Sequence, residues 1–199
     1  MPPEGYLSKV REICTKHNVL MITDEIQTGL GRTGKLFACE WENVRPDMVA
    51  IGKALSGGFY PVSACLADRE VLELFKPGDH GSTFGGNPLG CVIAREALKI
   101  LVEDGLIDNA IEQGNYLLER LSRIESDHIV DVRGRGLLIG VEVKPESGGA
   151  IRFTKALVEK SLLCKDTHGT VVRFTPPLVI TREDIDWAVE RIEEVFTED

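Results

Sequence analysis

Positive charge is in short supply in this sequence. Its 199 residues include 23 lysines and arginines against 32 aspartates and glutamates, for a net charge of −9. A nucleic-acid binder would show a basic face, and none is present; the acidic excess favours solubility and disfavours anionic surfaces. Paired cysteines are lacking too. Cys14, Cys39, Cys65, Cys91 and Cys164 are odd in number and widely scattered, with no C-x-x-C among them. That pattern argues against a disulfide framework or a thiolate zinc site and fits reduced thiols in a cytoplasmic compartment. No apolar run reaches the roughly 18 residues of a membrane span, and Met1-Pro2-Pro3-Glu4-Gly5 has no signal-peptide pattern. His80 and His168 each sit beside a glycine without a second ligand three or four residues away, so metal-ligand spacing is missing as well. What is there is a chain 43% hydrophobic and 28% charged, able to bury the core of one or two domains. Because cations are few, a lysine or arginine set into an apolar segment is conspicuous.

Hydrophobic patterning predicts a helix over 4–17, with Leu7, Val10, Ile13 and Cys14 on one stripe. Val19 to Thr23 reads as a buried-type strand ending in Asp24-Glu25. A glycine-rich loop over 28–34 follows, then apolar strands at 48–51 and 62–67 and a short helix at 69–75. A polar loop over 77–86 leads to Asn87-Pro88, a cap-and-first-turn pair that starts a helix running to about residue 103. Another helix covers 106–124. From Ile129 β-branched residues and glycines dominate to Val143; a helix at 151–163, a strand at 171–174 and a closing helix at 182–196 complete the chain. The alternation of strand and helix predicts a largely parallel α/β layer over 1–127, and the later texture a small α+β unit over 128–199.

In open α/β sheets functional groups gather at the carboxyl ends of strands. Two such ends carry unusual residues: Asp24-Glu25-Ile26-Gln27 and Gly52-Lys53. Burying a lysine directly after an apolar strand is costly without a purpose. Burial would favour the neutral amine that attacks a carbonyl. A carboxylate beside it would suit a cofactor with a pyridinium nitrogen, since pyridoxal phosphate draws electrons best while that nitrogen stays protonated. Gly81-Ser82-Thr83, just ahead of the capped helix, offers hydroxyls and free amides to a phosphate. Arg173, inside Val171-Val172-Arg173-Phe174, can clamp a carboxylate bidentately.

Other readings compete. Gly29-Leu30-Gly31-Arg32-Thr33-Gly34 satisfies G-x-G-x-x-G, and Gly29 to Lys35 satisfies G-x-x-x-x-G-K, but Leu36 replaces the Ser or Thr that would bind magnesium. Neither loop directly follows its strand or opens a clear helix, so glycines that permit tight turns explain it better. Asp24-Glu25 taken alone could hold magnesium or merely cap a strand. Lys53 alone could be a strand-end lysine reaching solvent, Gln27 a surface amide, Thr83 a turn residue, and Arg173 a half-buried arginine paired with an acid. Arg133-Gly134-Arg135-Gly136 reads as a bend in a β-ribbon in preference to an anion nest.

The segments ITDEIQTGLGRTGKLFA, AIGKALSGGFYPVSA, HGSTFGGNPLG, VRGRGLLIGVEV and THGTVVRFTPPLVI settle the order of these alternatives. Together they resemble consecutive blocks of the class-III, ω-amino-group aminotransferases that use pyridoxal phosphate. Within that family they are most similar to the ornithine aminotransferases; those acting on acetylornithine and 4-aminobutyrate are close. The resemblance implies the aspartate-aminotransferase-like fold type I, here the C-terminal half of the large domain plus the small α+β domain. It implies Lys53 as covalent anchor and proton shuttle, Asp24 on the pyridine nitrogen, Gln27 on the ring hydroxyl, and Ser82 and Thr83 on the phosphate. Thr83 would serve a neighbouring subunit's cofactor in a homodimer. Arg173 would grip the α-carboxylate of an amino-acid or 2-oxo-acid substrate. Members of the family are roughly twice this long, so a second phosphate loop and the aromatic that stacks on the ring are not in this chain. The whole reading requires Asp24 and Lys53 to converge on one heterocycle.

Overall fold

The computed structural model describes residues 1–198 and resolves into two compact units. The first comprises residues 2–31 and 35–107. Helix α1 (Tyr6–Lys16) precedes strand β1 (Ile22–Asp24); β2 (Met48–Ile51), β3 (Ala64–Ala67), a short α2 (Arg69–Leu72) and α3 (Pro88–Glu103) follow. The sheet order is β1-β2-β3. β1 and β2 are parallel, in the register Ile22↔Met48, Thr23↔Val49 and Asp24↔Ala50. β3 runs antiparallel to β2, against the expectation of a largely parallel layer. The reason lies in the connections. Residues 25–47 are long enough to carry the chain back to a parallel start, whereas 52–63 hold only a single 3-10 turn, Lys53–Ser56, and the chain doubles back.

Leu7, Val10 and Cys14 of α1 pack with Phe37 on a small core of Met21, Cys39 and Val44. Ile13, expected on the same stripe, is exposed. The strand expected to be buried is not: Val19, Leu20 and Ile22 are 55%, 50% and 61% exposed, because β1 is a sheet edge and these side chains have no covering layer within the unit. At the head of β1, one carboxylate oxygen of Asp47 accepts hydrogen bonds from the Met21 N–H and from Arg11 Nη1, each 2.6 Å long. α3 starts as its sequence dictates, with Asn87 Oδ1 accepting the Gly90 N–H and Pro88 in the first turn. It lies against the turn Lys53–Ser56.

The second unit holds residues 32–34 together with 108 onward, and Met1. Its elements are α4 (Leu106–Ser122), β4 (Ile129–Arg135), β5 (Leu138–Val143), α5 (Gly149–Glu159), β6 (Lys165–Thr167), β7 (Val171–Phe174) and α6 (Arg182–Thr197). The sheet is antiparallel throughout, in the order β4-β5-β7-β6. Alternation along β5 and β7 gives it two faces. Ile139, Val141, Val143, Val172 and Phe174 enter the core beside Phe153, Leu157, Ile185, Val189, Ile192 and Phe196. The Phe153 and Phe196 rings stack at 4.5 Å between centroids. α6 is opened by a reciprocal cap: Thr181 Oγ1 accepts the Asp184 N–H, and the Asp184 carboxylate accepts the Thr181 N–H. The units part at Ile107/Asp108, ahead of the boundary expected at 127/128, because Leu117 and Leu121 of α4 are buried in this core.

Asp47 makes the first unit acid-sensitive. The Met21 N–H, and after it Arg11, hold the folded carboxyl below its ordinary value of 3.8. A depressed folded value contributes stability above the unfolded pKa and loses it as pH falls through the folded one. Asp47→Asn should therefore lower stability at neutral pH and shrink the difference from the parent below pH 3.8, read by urea unfolding across an acid series. An equal difference at every pH would contradict the assignment.

Candidate functional site

The parallel pairing of β1 and β2 brings two carboxyl ends side by side. The ladder continues one bond past Asp24, where the Glu25 N–H donates to the Ala50 carbonyl at 2.9 Å. Adjacent strands lie about 4.8 Å apart and three residues span at most about 10 Å, so Asp24 and Lys53 leave one edge of the sheet within roughly 15 Å of main chain. Asp24 shares its face with Ala50. Beyond Gly52 the strand period ends, since Lys53 adopts φ 45° at the start of its 3-10 turn. Left-handed backbone at a non-glycine residue costs of order 1 kcal/mol and persists only where surrounding structure enforces it. Here α3 packs on that turn.

Lys53 is exposed, so the burial expected around its amine is not supplied by this chain. The strand-end position alone does not desolvate it, because β1 and β2 have no layer over this edge. Asp24 is exposed as well; its Oδ1 accepts the Ile26 N–H at 3.1 Å, leaving Oδ2 available. Gln27 is partly exposed in the following turn, closed by the Gly29 N–H donating to the Glu25 carbonyl. Ser82 and Thr83 are exposed on loop 76–87. The Ser82 hydroxyl already accepts the Gly85 N–H at 2.9 Å, and Asn87 both caps α3 and donates to the Phe84 carbonyl.

Glu25, passed over in the sequence as a strand-capping charge, is 3% exposed. Thr28 Oγ1 donates to one of its oxygens and the Cys39 N–H to the other, at 2.9 Å in the second case. It is a brace beneath the Asp24–Gln27 turn, with each oxygen accepting a hydrogen bond from the chain around it. Burial, and then the Glu25 charge, push the Cys39 thiol up to about 11, far from a thiolate nucleophile. The G-x-G-x-x-G loop opens no helix. It closes on itself through Leu30 N–H to Leu36 O and Gly31 N–H to Lys35 O, and Gly29 is needed because a Cβ there would lie 2.8 Å from the Glu25 carbonyl. Its tip, Arg32–Gly34, belongs to the second unit. Arg32 Nη1 donates to the carbonyls of Leu137 and Pro176, and desolvation lowers the pKa of its guanidinium. No spacing rule in the sequence marked that role.

Arg173 lies in the second unit, on the face of its sheet opposite the core. Cross-strand partners make one row, Arg133–Gly140–Arg173–Lys165. Arg133 is neutralised by Asp131 and Glu142, at 2.7 and 2.6 Å. Arg173 has no ion pair among the described residues, and its buried Nε has no hydrogen-bond partner. The arginine that would ordinarily be paired with an acid is half-buried and unpaired, a donor set short of an anion.

Comparison with known proteins assigns this architecture. The family model for aminotransferase class-III matches residues 1–196. Ornithine aminotransferase 2 of Staphylococcus aureus is 55% identical over 196 residues, covering 98% of this chain and 49% of that protein. An ornithine aminotransferase of a Geobacillus species is 53% identical over 98% of this chain and 48% of its own. Among solved structures, ornithine aminotransferase from Plasmodium yoelii superposes with a TM-score of 0.95 at 46% identity, over 98% of this chain and 52% of that one. Acetylornithine aminotransferase from Elizabethkingia anophelis reaches 0.93 at 47%, over 98% and 50%. The chain belongs to the class-III aminotransferases, a pyridoxal-phosphate-dependent family of fold type I. It spans about half the length of the relatives it matches.

Replacing Glu25 tests the brace. Glu25→Gln should cost about 2 kcal/mol by weakening charge-assisted bonds to Thr28 and the Cys39 N–H. Urea unfolding of the purified chain reads the loss; an unchanged midpoint would show the brace to be idle.

Proposed function

We propose that this chain supplies the lysine, the acid and the carboxylate-binding arginine of a transaminase. The reaction moves the δ-amino group of L-ornithine to 2-oxoglutarate, giving glutamate and glutamate semialdehyde, which cyclises to pyrroline-5-carboxylate. The observation that carries the reading is the placement of Asp24 and Lys53 on adjoining carboxyl ends of parallel strands, within a chain of this family. Pyridoxal phosphate, when bound, supplies a protonated ring that draws electrons from the substrate carbon. Asp24 Oδ2 would hold the proton on the ring nitrogen, and Gln27 would orient the ring hydroxyl. Lys53 Nζ would anchor the cofactor and then move the proton to and from substrate carbon. Ser82 and Thr83 would hold the phosphate, Thr83 toward the cofactor of a second copy in a homodimer; its exposed position supports that role. Arg173 would take the α-carboxylate, and its unpartnered Nε supports this.

The neighbour named for acetylornithine is as similar in sequence as the one named for ornithine, which keeps N-acetylornithine as a second donor. A non-catalytic fragment or dimerising module is the other reading, supported by the half-length match and by the exposed Lys53. The free cysteines support a reducing, cytoplasmic setting.

The purified chain should turn yellow with pyridoxal phosphate, and borohydride should then fix the cofactor's mass on Lys53. Lys53→Ala should show neither. A folded chain that stays colourless and unlabelled would count against the binding assignment, and labelling at another lysine would refute the role of Lys53. Turnover is expected only with the remainder of the fold present, with ornithine preferred to N-acetylornithine and 4-aminobutyrate as donor.

A further inference from the structure

The tip of the glycine loop has no part in the chemistry above, yet its placement is tightly specified. Thr33 and Gly34 are buried, and the Leu137 N–H donates to the Arg32 carbonyl at 3.0 Å. Gly136, at φ 54°, touches the tip main chain to main chain: a Cβ there would sit 2.6 Å from the Thr33 carbonyl carbon and 2.7 Å from the Arg32 oxygen. A Cβ at Gly114 would in turn lie 2.3 Å from Gly136. Three backbone segments thus stack with no room for a side chain between them.

From that seat Arg32 Nη1 bridges two carbonyls, Leu137 O at 3.1 Å and Pro176 O at 2.5 Å. Leu137 immediately precedes β5, and Pro176 lies two residues beyond the end of β7. The outermost rung of this antiparallel pair is Ile139↔Phe174, and the next is Gly140↔Arg173. Arg32 therefore ties the two strands together beyond the Ile139↔Phe174 rung, three residues along each strand from the rung that carries Arg173. The strand cannot do this for itself. Pro176 and Pro177 have no N–H to extend the ladder, and the Pro176 carbonyl needs a donor from elsewhere.

We propose that Arg32 is a positioning residue for the carboxylate site at Arg173: its guanidinium closes the β5–β7 end and holds Arg173 in place to meet an anion. The proposal rests on reading Arg173 as the carboxylate ligand, and the test separates the two. The probe is glutarate, titrated into the full 199-residue chain and followed through the arginine Nε–Hε signals in nitrogen-15 spectra, with Arg173→Lys identifying the signal of Arg173. Glutarate should shift the Arg173 signal. Arg32→Met should weaken glutarate binding about tenfold, the worth of one charge-assisted hydrogen bond, while the core methyl signals of Val141, Val172 and Ile185 stay in place. Arg32→Lys, which keeps the charge and one donor, should fall between.

A structural role alone predicts something else: a lower unfolding midpoint in Arg32→Met or Arg32→Lys with glutarate affinity unchanged. That result would overturn the proposal. If the parent chain ignores glutarate, the carboxylate reading of Arg173 falls. Positioning is then judged from the Arg173 signal in the Arg32 variants, where a displaced or broadened signal supports it and an unmoved one refutes it.

Discussion

Everything proposed for the first unit depends on one register: Asp24 beside Ala50 in a parallel pair. Parallel strands present their carboxyl ends together, so two segments far apart in sequence deliver an acid and a lysine to one edge. A one-residue slip would turn Asp24 to the other face. The register is held from both ends. Asp47 ties the start of β1 through the Met21 N–H, and Glu25 braces the turn beyond Asp24. The two acids at either end of this register are thus spent on geometry, whereas Asp24 keeps Oδ2 without a hydrogen bond.

Three arginines of the second unit show how surroundings assign a role to one side chain. Arg133 has two acids and is neutralised. Arg32 has two carbonyls and serves as a strut. Arg173 occupies the same row as Arg133, but glycine stands opposite it on β5 and lysine on β6, where an acid could have neutralised it. In a protein with net charge −9, an unpaired half-buried guanidinium is a specific arrangement and not a shortage of acids.

Much of the fold was legible along the chain. The cap at Asn87-Pro88, the alternating face of β5 and β7 and the closing helix follow from local rules, because capping, pleat and helical stripe act over a few residues. Other features were not. A short apolar run reads as a buried strand whether or not anything covers it, and so Val19, Leu20 and Ile22 misled. The antiparallel β3 depended on how little structure fits between Gly52 and Ser63. The domain boundary depended on which core claimed Leu117 and Leu121. Among the candidate residues, Lys53, Asp24 and Arg173 stood out by residue type against their surroundings, whereas Glu25 and Arg32 looked like ordinary loop charges.

By itself the sequence determined which residues could do chemistry and which family they belong to, because those properties reside in residue types and their order. Only the tertiary structure decided that Lys53 is exposed, that Glu25 is a brace, and that a loop shaped like a nucleotide fingerprint ends as a strut beside the strand of Arg173. Those outcomes turn on burial and on which partners the fold brings near, Cys39 14 residues from Glu25 and Pro176 144 residues from Arg32, and no local pattern encodes them.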